Sequence, residues 1–151
     1  MRHLVLAFAL CALAASVVGA EDSEKVSKTL KLAPGGTFRL NSFSGRVTIT
    51  ASDKDEVTID AVRHGDGDWL DRYKLEIYAQ GSSTVVVKEN QRDSSWFGWS
   101  RRNRVVETDF DIKVPRRTNL DVSVFSAAVN VDGVEGSHKE RRQEQGAAWG
   151  V

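Results

Sequence analysis

Apolar and polar residues alternate in a pattern that occurs twice in the chain. The first copy is Phe38–Ile49, F-R-L-N-S-F-S-G-R-V-T-I, and the second begins 82 residues later as Leu120–Val131, L-D-V-S-V-F-S-A-A-V-N-V. Each copy has the two-residue period of a strand, an interruption of small residues, and then the same period again. Five apolar positions coincide when the copies are superposed: Phe38 with Leu120, Leu40 with Val122, Phe43 with Phe125, Val47 with Val129, and Ile49 with Val131. The pattern predicts a strand, a corner and a second strand, present in two copies.

The interruption in each copy is interpreted as a structural corner. It consists of Phe43, Ser44 and Gly45 in the first copy and of Phe125, Ser126 and Ala127 in the second. A serine that recurs at the same place in a structural repeat is more simply explained by the repeat than by catalysis, so no catalytic role is assigned to it.

Strand-like alternation also occurs in five other segments. They are residues 26–32, 57–61, 73–79, 85–89 and 106–114. Pro34-Gly35-Gly36 and the polar run at residues 52–55 are typical of turns between strands, and residues 64–68, H-G-D-G-D, predict a loop. No helical period is present after the first twenty residues. The expected fold is therefore all-β, with an antiparallel, sandwich-like N-terminal half that leads into the start of a β-solenoid.

The first twenty residues resemble a secretory signal peptide. A short basic start precedes the apolar run Leu4–Val18, and Val18-Gly19-Ala20 supplies small residues before Glu21. The apolar run is shorter than the ~20 residues that span a bilayer, which disfavours the alternative of a membrane anchor. We therefore predict export after cleavage at Ala20, to the periplasm, the cell surface or the extracellular space.

The exported chain has no cysteine, because Cys11 is the only one and lies within the signal peptide. Small secreted domains of eukaryotes are commonly held by disulfides, so an exported domain without them indicates a bacterial envelope protein. Its basic and acidic residues nearly balance, which gives no indication of a nucleic-acid partner. Residues 21–136 are long enough for one domain with one core.

The last fifteen residues differ from the rest. Residues 137–151, S-H-K-E-R-R-Q-E-Q-G-A-A-W-G-V, have no two-residue period and no β-branched residue before Val151. Two explanations stay open for this segment. It is either foreign to the fold, through truncation or a shifted reading frame, or a natural mobile terminus. In both cases a non-β tail is predicted, disordered or weakly helical.

Residue types that carry chemistry are sparse. Asp66, Asp68 and Asp71 are close enough in sequence to suggest calcium, but the spacing of an EF-hand is absent and a solvated turn is the preferred interpretation. His64 and His138 are the only histidines after the signal peptide. There is no G-x-S-x-G motif, so a hydrolase would depend on Ser44 or Ser126 meeting His64 by folding alone. We predict no catalytic site, no metal and no cofactor.

One segment suggests binding. Residues 94–104, S-S-W-F-G-W-S-R-R-N-R, place three aromatic side chains next to three guanidinium groups. Aromatic rings can stack on sugars, and arginines can engage anionic groups. The alternative is that the tryptophans fold back over an open end of the β core. The candidate binding residues are Trp96, Phe97, Trp99, Arg101, Arg102 and Arg104.

Three parts of the sequence resemble the bacterial "putative adhesin" family, a β-strand-repeat domain of unknown function. They are residues 32–49, L-A-P-G-G-T-F-R-L-N-S-F-S-G-R-V-T-I, residues 53–62, D-K-D-E-V-T-I-D-A-V, and residues 106–136 from V-E-T-D-F-D-I-K-V-P-R-R to G-V-E-G. The resemblance implies strands stacked in rungs of roughly 20 residues, with glycine at the corner. Gly45 matches that corner, whereas Ala127 departs from it. The family has no established catalytic residues, so none are carried over.

These observations predict a non-enzymatic, exported cell-envelope scaffold or adhesin-like surface module. The alternative is a carbohydrate- or ligand-binding β-sandwich that uses the Trp96–Arg104 loop, and the expected partner is a cell-surface or glycan ligand. A stack that stops after its second copy would also leave an uncovered strand edge. We therefore expect self-association through residues 118–134.

Overall fold

The computed structural model describes residues 22–91 and 106–142, apart from the side chain of Gln91. Its elements are β1 (Ser23–Lys31), β2 (Thr37–Ser52), β3 (Glu56–His64), α1 (Gly67–Arg72), β4 (Tyr73–Gln80), β5 (Thr84–Gln91), β6 (Glu107–Pro115), β7 (Asn119–Asp132) and β8 (His138–Arg142). The prediction of an all-β fold is confirmed. The short helix α1 lies partly within the segment that the sequence predicts to be a loop. The predicted signal peptide lies outside the described residues.

Strand β2 organises the fold. The sequence predicts two strands joined by a corner, but the structure has one continuous strand of 16 residues that bends at the predicted corner. Along one edge, Thr37–Asn41 pairs with β5 and Val47–Ser52 pairs with β6, both in parallel. Gly45, between these two halves, has a φ of 122°, which only glycine adopts readily. The bend therefore allows a single strand to change partners without a loop.

The two halves of β2 face each other across the core. Both of its ends reach the same turn, because the Arg116 N–H donates to the Ser52 carbonyl and the Gly35 N–H donates to the Arg117 carbonyl. The strand thus runs out and back. Its buried residues point into the space between its halves and pack against those of β5 and β6: Phe38, Leu40, Val47, Ile49, Val85, Val87, Phe110 and Ile112.

Two sets of strands extend from β2, and we call them wings. The first wing is the N-terminal half of β2 with β5 and β4, and the second is the C-terminal half of β2 with β6, β3 and β1. Within the wings, β4 pairs with β5, and β3 pairs with both β1 and β6, all antiparallel. The Lys28 ammonium of β1 donates to the Ile77 carbonyl of β4 at 2.6 Å, which nearly closes the sheet into a barrel.

The opposite edge of β2 carries the second copy of the repeat. Strand β7 runs parallel to β2 in a register that pairs Phe38 with Leu120, Leu40 with Val122, Val47 with Val129, and Ile49 with Val131. The alignment made from sequence alone is thus the pairing of the two strands. Two stacked copies are consistent with the start of a solenoid, and a full solenoid stays a prediction.

The beginning of the predicted tail is a strand. Residues 138–142 form β8, which runs parallel to β7 and pairs Leu120 with His138 and Val124 with Arg142. The expectation that no strand follows Gly136 is therefore wrong for these five residues. The physical reason is that all five side chains are exposed, so the strand needs no apolar alternation and shows none. Residues 143–151 lie outside the described residues.

Candidate functional site

The places where the chain passes from one wing to the other lie side by side. Strand β2 crosses at Ser42–Gly45, and β7 crosses beside it, where Gly45 pairs with Ala127. On the other side of β2, the pairing with β5 ends where Asn41 pairs with Lys88, and the pairing with β6 begins where Val47 pairs with Phe110. Helix α1 then crosses from β3 to β4. We call this row of crossings the corner edge.

Two phenylalanines stack at the centre of the corner edge. The rings of Phe43 and Phe125 have centroids 4.9 Å apart and planes inclined by 10°. Phe43 is 41% exposed, which makes it the one large apolar side chain among the described residues that stays in solvent. The contact confirms the pairing of these residues in the sequence repeat. An exposed aromatic face at a fixed position is a surface on which a flat or apolar ligand can stack.

Glu89 holds the corner together. One carboxylate oxygen accepts hydrogen bonds from the Phe43 N–H at 2.8 Å and from the Ser42 hydroxyl at 3.4 Å. The other oxygen accepts the hydroxyl of Thr108. Ser42 and Thr108 are buried, and β2 changes partners here, so these donors would otherwise be unsatisfied. The sequence places Glu89 at the end of a strand but gives no signal of this role.

Gly45 allows the closest approach at the corner. A Cβ added at this position would lie 2.2 Å from the Thr108 carbonyl oxygen and 2.9 Å from the Thr108 nitrogen. The backbones of β2 and β6 therefore meet where no side chain fits. The sequence identified Gly45 as a corner residue, and the structure adds both its positive φ and its neighbour.

His64 lies near the corner but not in a catalytic arrangement. Its Nε2 is 3.7 Å from Oδ2 of Asp109, whose other oxygen accepts the Arg46 N–H at 3.0 Å. Ser44 and Ser126 are paired across β2 and β7. In the described part of the chain, no hydrogen bond joins His64 to either serine. The carboxylate of Asp109, like that of Glu89, is used to satisfy backbone at the corner.

Helix α1 adds an aromatic and a cation to the corner edge. The guanidinium of Arg72 lies 5.3 Å from the centre of the Trp69 ring, within the range of a cation–π interaction. Tyr73 stacks near the same ring at 6.2 Å. Asp66 precedes the helix and Asp68 lies in its first turn. Among residues 22–91 and 106–142, no group of three acidic, histidine or cysteine side chains is arranged to hold a metal ion.

Arg63 fixes the helix to the sheet. Its side chain, only 5% exposed, forms an ion pair with Glu24 at 2.5 Å and donates to the carbonyls of Leu70 and Tyr73. Its Nε atom is buried without a partner. Position 63 continues the buried face of β3, but the arginine there gives no indication in the sequence of the partners that allow its burial, so its role could not be predicted.

The predicted binding residues Trp96, Phe97, Trp99, Arg101, Arg102 and Arg104 lie outside the described residues. The residues on either side of that segment are at the corner edge. Gln91 pairs with Tyr73 at the end of α1. Val106 is buried, and a Cβ added at Gly65 would lie 3.4 Å from it and 3.8 Å from Leu70. The two described residues that flank the segment thus lie beside Tyr73 and beside Gly65.

The end of the wings opposite to the corner edge is formed by turns and contains a cavity. A cavity of about 290 Å³ lies there, lined by the turn residues Pro34, Ser52, Asp53, Lys54, Asp55, Pro115, Arg116 and Arg117. Arg116 and Asp53 form an ion pair at 3.0 Å within it. Among the described helices, none is long and apolar enough to cross a membrane.

No family model matches the chain, and no curated protein matches it. Several solved structures are similar to it at low identity. A "putative cell adhesion protein" from Clostridium sporogenes ATCC 15579 has 12% identity and a TM-score of 0.48, with 79% of this chain and 57% of that one covered. A "putative adhesin" from Bacteroides fragilis NCTC 9343 has 11% identity and a TM-score of 0.35, with 79% and 53% covered. A "putative adhesin" from Parabacteroides merdae ATCC 43184 has 8% identity and a TM-score of 0.36, with 72% and 39% covered.

The chain therefore spans between 39% and 57% of the length of these three proteins. Likenesses this distant do not indicate what this chain binds, which has to follow from its own residues.

Proposed function

We propose that this chain is an exported, non-enzymatic, adhesin-like module of the bacterial cell envelope that binds a surface ligand through its corner edge. One observation carries the proposal. Phe43, which is exposed and stacks on Phe125, the two described residues that flank the tryptophan- and arginine-rich segment, and the Trp69–Arg72 pair lie in a row on one edge of the fold. Aromatic and arginine side chains are the residues that most often dominate binding surfaces.

The remainder of the fold acts as the support for that edge. The carboxylates nearest to the exposed rings, Glu89 and Asp109, accept hydrogen bonds from the backbone or side chains of neighbouring strands. Hydrogen bonds of this kind hold neighbouring strands together and rigidify the corner. A rigid edge that presents aromatic rings favours binding over turnover.

A glycan is the ligand that this chemistry favours. Rings exposed at fixed positions can stack on the apolar faces of sugars, and arginine forks engage carboxylate or sulfate groups. The proposal joins the two interpretations that the sequence left open, since the Trp96–Arg104 segment is anchored on the same edge as the repeat's corners. The two interpretations would then describe one protein, a surface module that binds its ligand through this edge.

A glycan array with the chain from residue 21 to 151 tests the proposal. We expect saturable binding to a defined set of glycans, reduced at least tenfold in Phe43→Ala and in the double variant Trp96→Ala/Trp99→Ala. Arg116→Ala, at the opposite end of the wings, is the matched control and should bind normally. Circular dichroism checks that every variant folds.

Three results would overturn the proposal. Binding that is equally reduced in the Arg116 control, or unaffected by both corner variants, would place the site elsewhere. Consumption of a bound glycan, seen as new reducing ends, would show that the protein is an enzyme.

A further inference from the structure

The outer faces of the two wings differ in charge. The chain as a whole has no net charge, so the sequence gives no indication of this separation. In the second wing, the described side chains that alternate with the buried ones on β1, β2, β3, β6 and β7 include more carboxylates than cations. The carboxylates are Glu56, Asp60, Glu107, Asp109, Asp111 and Asp132, and the cations are Lys25, Lys31, Arg46 and Lys113.

The outer face of the first wing is cationic. It is formed by the side chains that alternate with the buried ones on β4, β5, β2, β7 and β8, and we call it the first-wing face. Its described cations are Lys74, Lys88, Arg39, Lys139 and Arg141, and its described carboxylates are Glu76 and Asp121. Four of these cations are exposed and Lys88 is half-buried. An excess of positive charge on one surface favours an anionic partner.

Two arginines of the first-wing face share one carboxylate. Nε of Arg39 lies 3.7 Å from one oxygen of Asp121, and Nη2 of Arg141 lies 3.5 Å from the other. The side chains of the two arginines are nevertheless 55% and 57% exposed. A guanidinium has several N–H donors in a planar fork, so each arginine retains donors for a second carboxylate.

Two lysines provide the remaining excess of positive charge. In the described part of the chain, neither the Lys74 nor the Lys139 ammonium has a carboxylate within ion-pair distance. Lys88, by contrast, forms an ion pair with Glu76 at 3.2 Å and lies 5.9 Å from the centre of the Tyr78 ring. An anionic ligand can therefore pair with Lys74 and Lys139 without breaking an existing ion pair.

The first-wing face is continuous with the corner edge. Arg39 and Phe43 both alternate with the buried residues of β2, so they share this face. Phe125 shares it with Asp121 on β7. The stacked rings of Phe43 and Phe125 therefore form the corner end of the face. A chain of sugars that stacks on these rings can extend over the cations.

We propose that the first-wing face binds the carboxylates of an acidic glycan, a linear chain that contains uronic acids. The inference rests on the proposed function for the glycan, and adds the acidic groups of that glycan and the face that holds them. The contact of Asp121 with Arg39 and Arg141 favours a carboxylate, because a uronic acid presents the same group to the same two arginines. The cations belong to four strands, β2, β4, β5 and β8, which favours a chain with several carboxylates over a single small anion.

Titration calorimetry with the chain from residue 21 to 151 tests the inference. The probes are hexamers of galacturonate and of mannuronate, and the controls are their methyl esters, which contain the same sugars without the charge. We expect saturable binding of at least one hexamer and none of its ester. Added salt should weaken the binding, because exposed charges are screened over about 10 Å at 0.1 M ionic strength.

Matched double variants test the location of the site. Lys139→Gln/Arg141→Gln should weaken binding of the hexamer about three- to twentyfold, as expected for the loss of two exposed ion pairs. Lys31→Gln/Lys113→Gln removes the same amount of charge from the outer face of the second wing and should have little effect. Circular dichroism checks that both variants fold.

A second pair of variants tests the role of the shared carboxylate. Asp121→Asn releases Arg39 and Arg141 and should tighten binding of the hexamer about twofold or more. Asp111→Asn makes the same change of charge on the outer face of the second wing, where Asp111 is exposed, and should leave the affinity unchanged.

Several results would overturn the inference. They are the absence of saturable binding of both hexamers, equal binding of a hexamer and its ester, and equal effects of the two double variants. Tighter binding to phosphatidylglycerol vesicles than to either hexamer would also overturn it, because the face would then dock on a membrane. Phe43→Ala separates this inference from the proposed function. Glycan binding that is lost in Phe43→Ala but unchanged in Lys139→Gln/Arg141→Gln overturns the inference alone, whereas the reverse result supports the inference and overturns the proposed function.

Discussion

Replacing Gly45 by alanine tests whether the close contact at the corner determines how β2 bends. Two separate penalties meet at this position. The backbone has a φ of 122°, outside the regions that residues with a Cβ adopt. The added Cβ would also lie 2.2 Å from the carbonyl oxygen of Thr108 and 2.7 Å from its carbonyl carbon. These are backbone atoms of a paired strand, so they cannot rotate away as the end of a flexible side chain could.

The expected magnitude follows from the two penalties. A residue held in a sparsely populated φ region costs about 1–3 kcal/mol, and overpacking a well-packed site costs about 1–3 kcal/mol more. We therefore expect Gly45→Ala to lower the free energy of unfolding by about 2–6 kcal/mol, a large part of the 5–15 kcal/mol of a typical domain. Relief would require β2 and β6 to separate at Thr108, which would also strain the hydrogen bond to Glu89.

Urea denaturation followed by circular dichroism measures this loss. Gly81→Ala is the matched control, because Gly81 has a φ of 65° but no atom within 4 Å of an added Cβ. It should lose only the conformational penalty, about 1–2 kcal/mol. The difference between the two variants reports on the contact with Thr108 together with the larger conformational penalty at a φ of 122°. Equal losses in the two variants would refute the claim that the corner is limited by that contact.

Three further changes test the polar contacts. Glu89→Gln replaces an acceptor by a donor at the corner and should destabilise the protein by about 1–3 kcal/mol; an unchanged urea midpoint would contradict the role given to this carboxylate. Arg63→Met removes the donors that hold α1, so amide exchange in residues 65–73 should accelerate while β2 stays protected, and unaltered exchange there would count against the anchor. The pKa of Glu76 is lowered from 4.5, first by its hydrogen bond from Lys88. Its contribution to stability is thus present above pH 4.5 and is lost as the pH falls through the folded-state pKa, and Lys88→Met should raise the NMR-measured pKa towards 4.5.

The repeat could be predicted from the sequence because both copies lie on the same face of one sheet. That face requires apolar side chains at the same alternate positions in each copy. In a parallel pair that is in register, residues on the core side of one strand lie next to residues on the core side of the other. Val47 and Val129 therefore face one environment, and the apolar pattern is copied along with it. The stacked rings of Phe43 and Phe125 follow from the same register, even though Phe43 is exposed and Phe125 is only half-buried.

Strand β8 could not be predicted, for the converse reason. Its paired positions beside Leu120, Val122 and Val124 hold His138, Glu140 and Arg142, and all of these side chains are exposed. In the part of the chain that the structure describes, all five side chains of β8 are exposed, so burial sets no two-residue pattern there. Arg63 was missed because its partners are backbone carbonyls and one glutamate far away in sequence, and such partners leave no local pattern.

The two ends of the wings differ in how they tolerate additional residues, and this explains why the candidate binding surface is at the corner. At the turn end, backbone hydrogen bonds pass between neighbouring layers, from Arg116 to Ser52, from Glu135 to Arg116, and from Leu120 to Ser137. Extra residues there would break that ladder. At the corner, β2 changes its partner from β5 to β6, and the side chains of Glu89 and Asp109 accept hydrogen bonds from its backbone, so the connection between β5 and β6 can vary in length there. Gln91 and Val106, which flank residues 92–105, and the helix α1 all lie at this end. Loops on a rigid scaffold commonly carry binding residues, and this fold offers positions for them mainly along the corner edge.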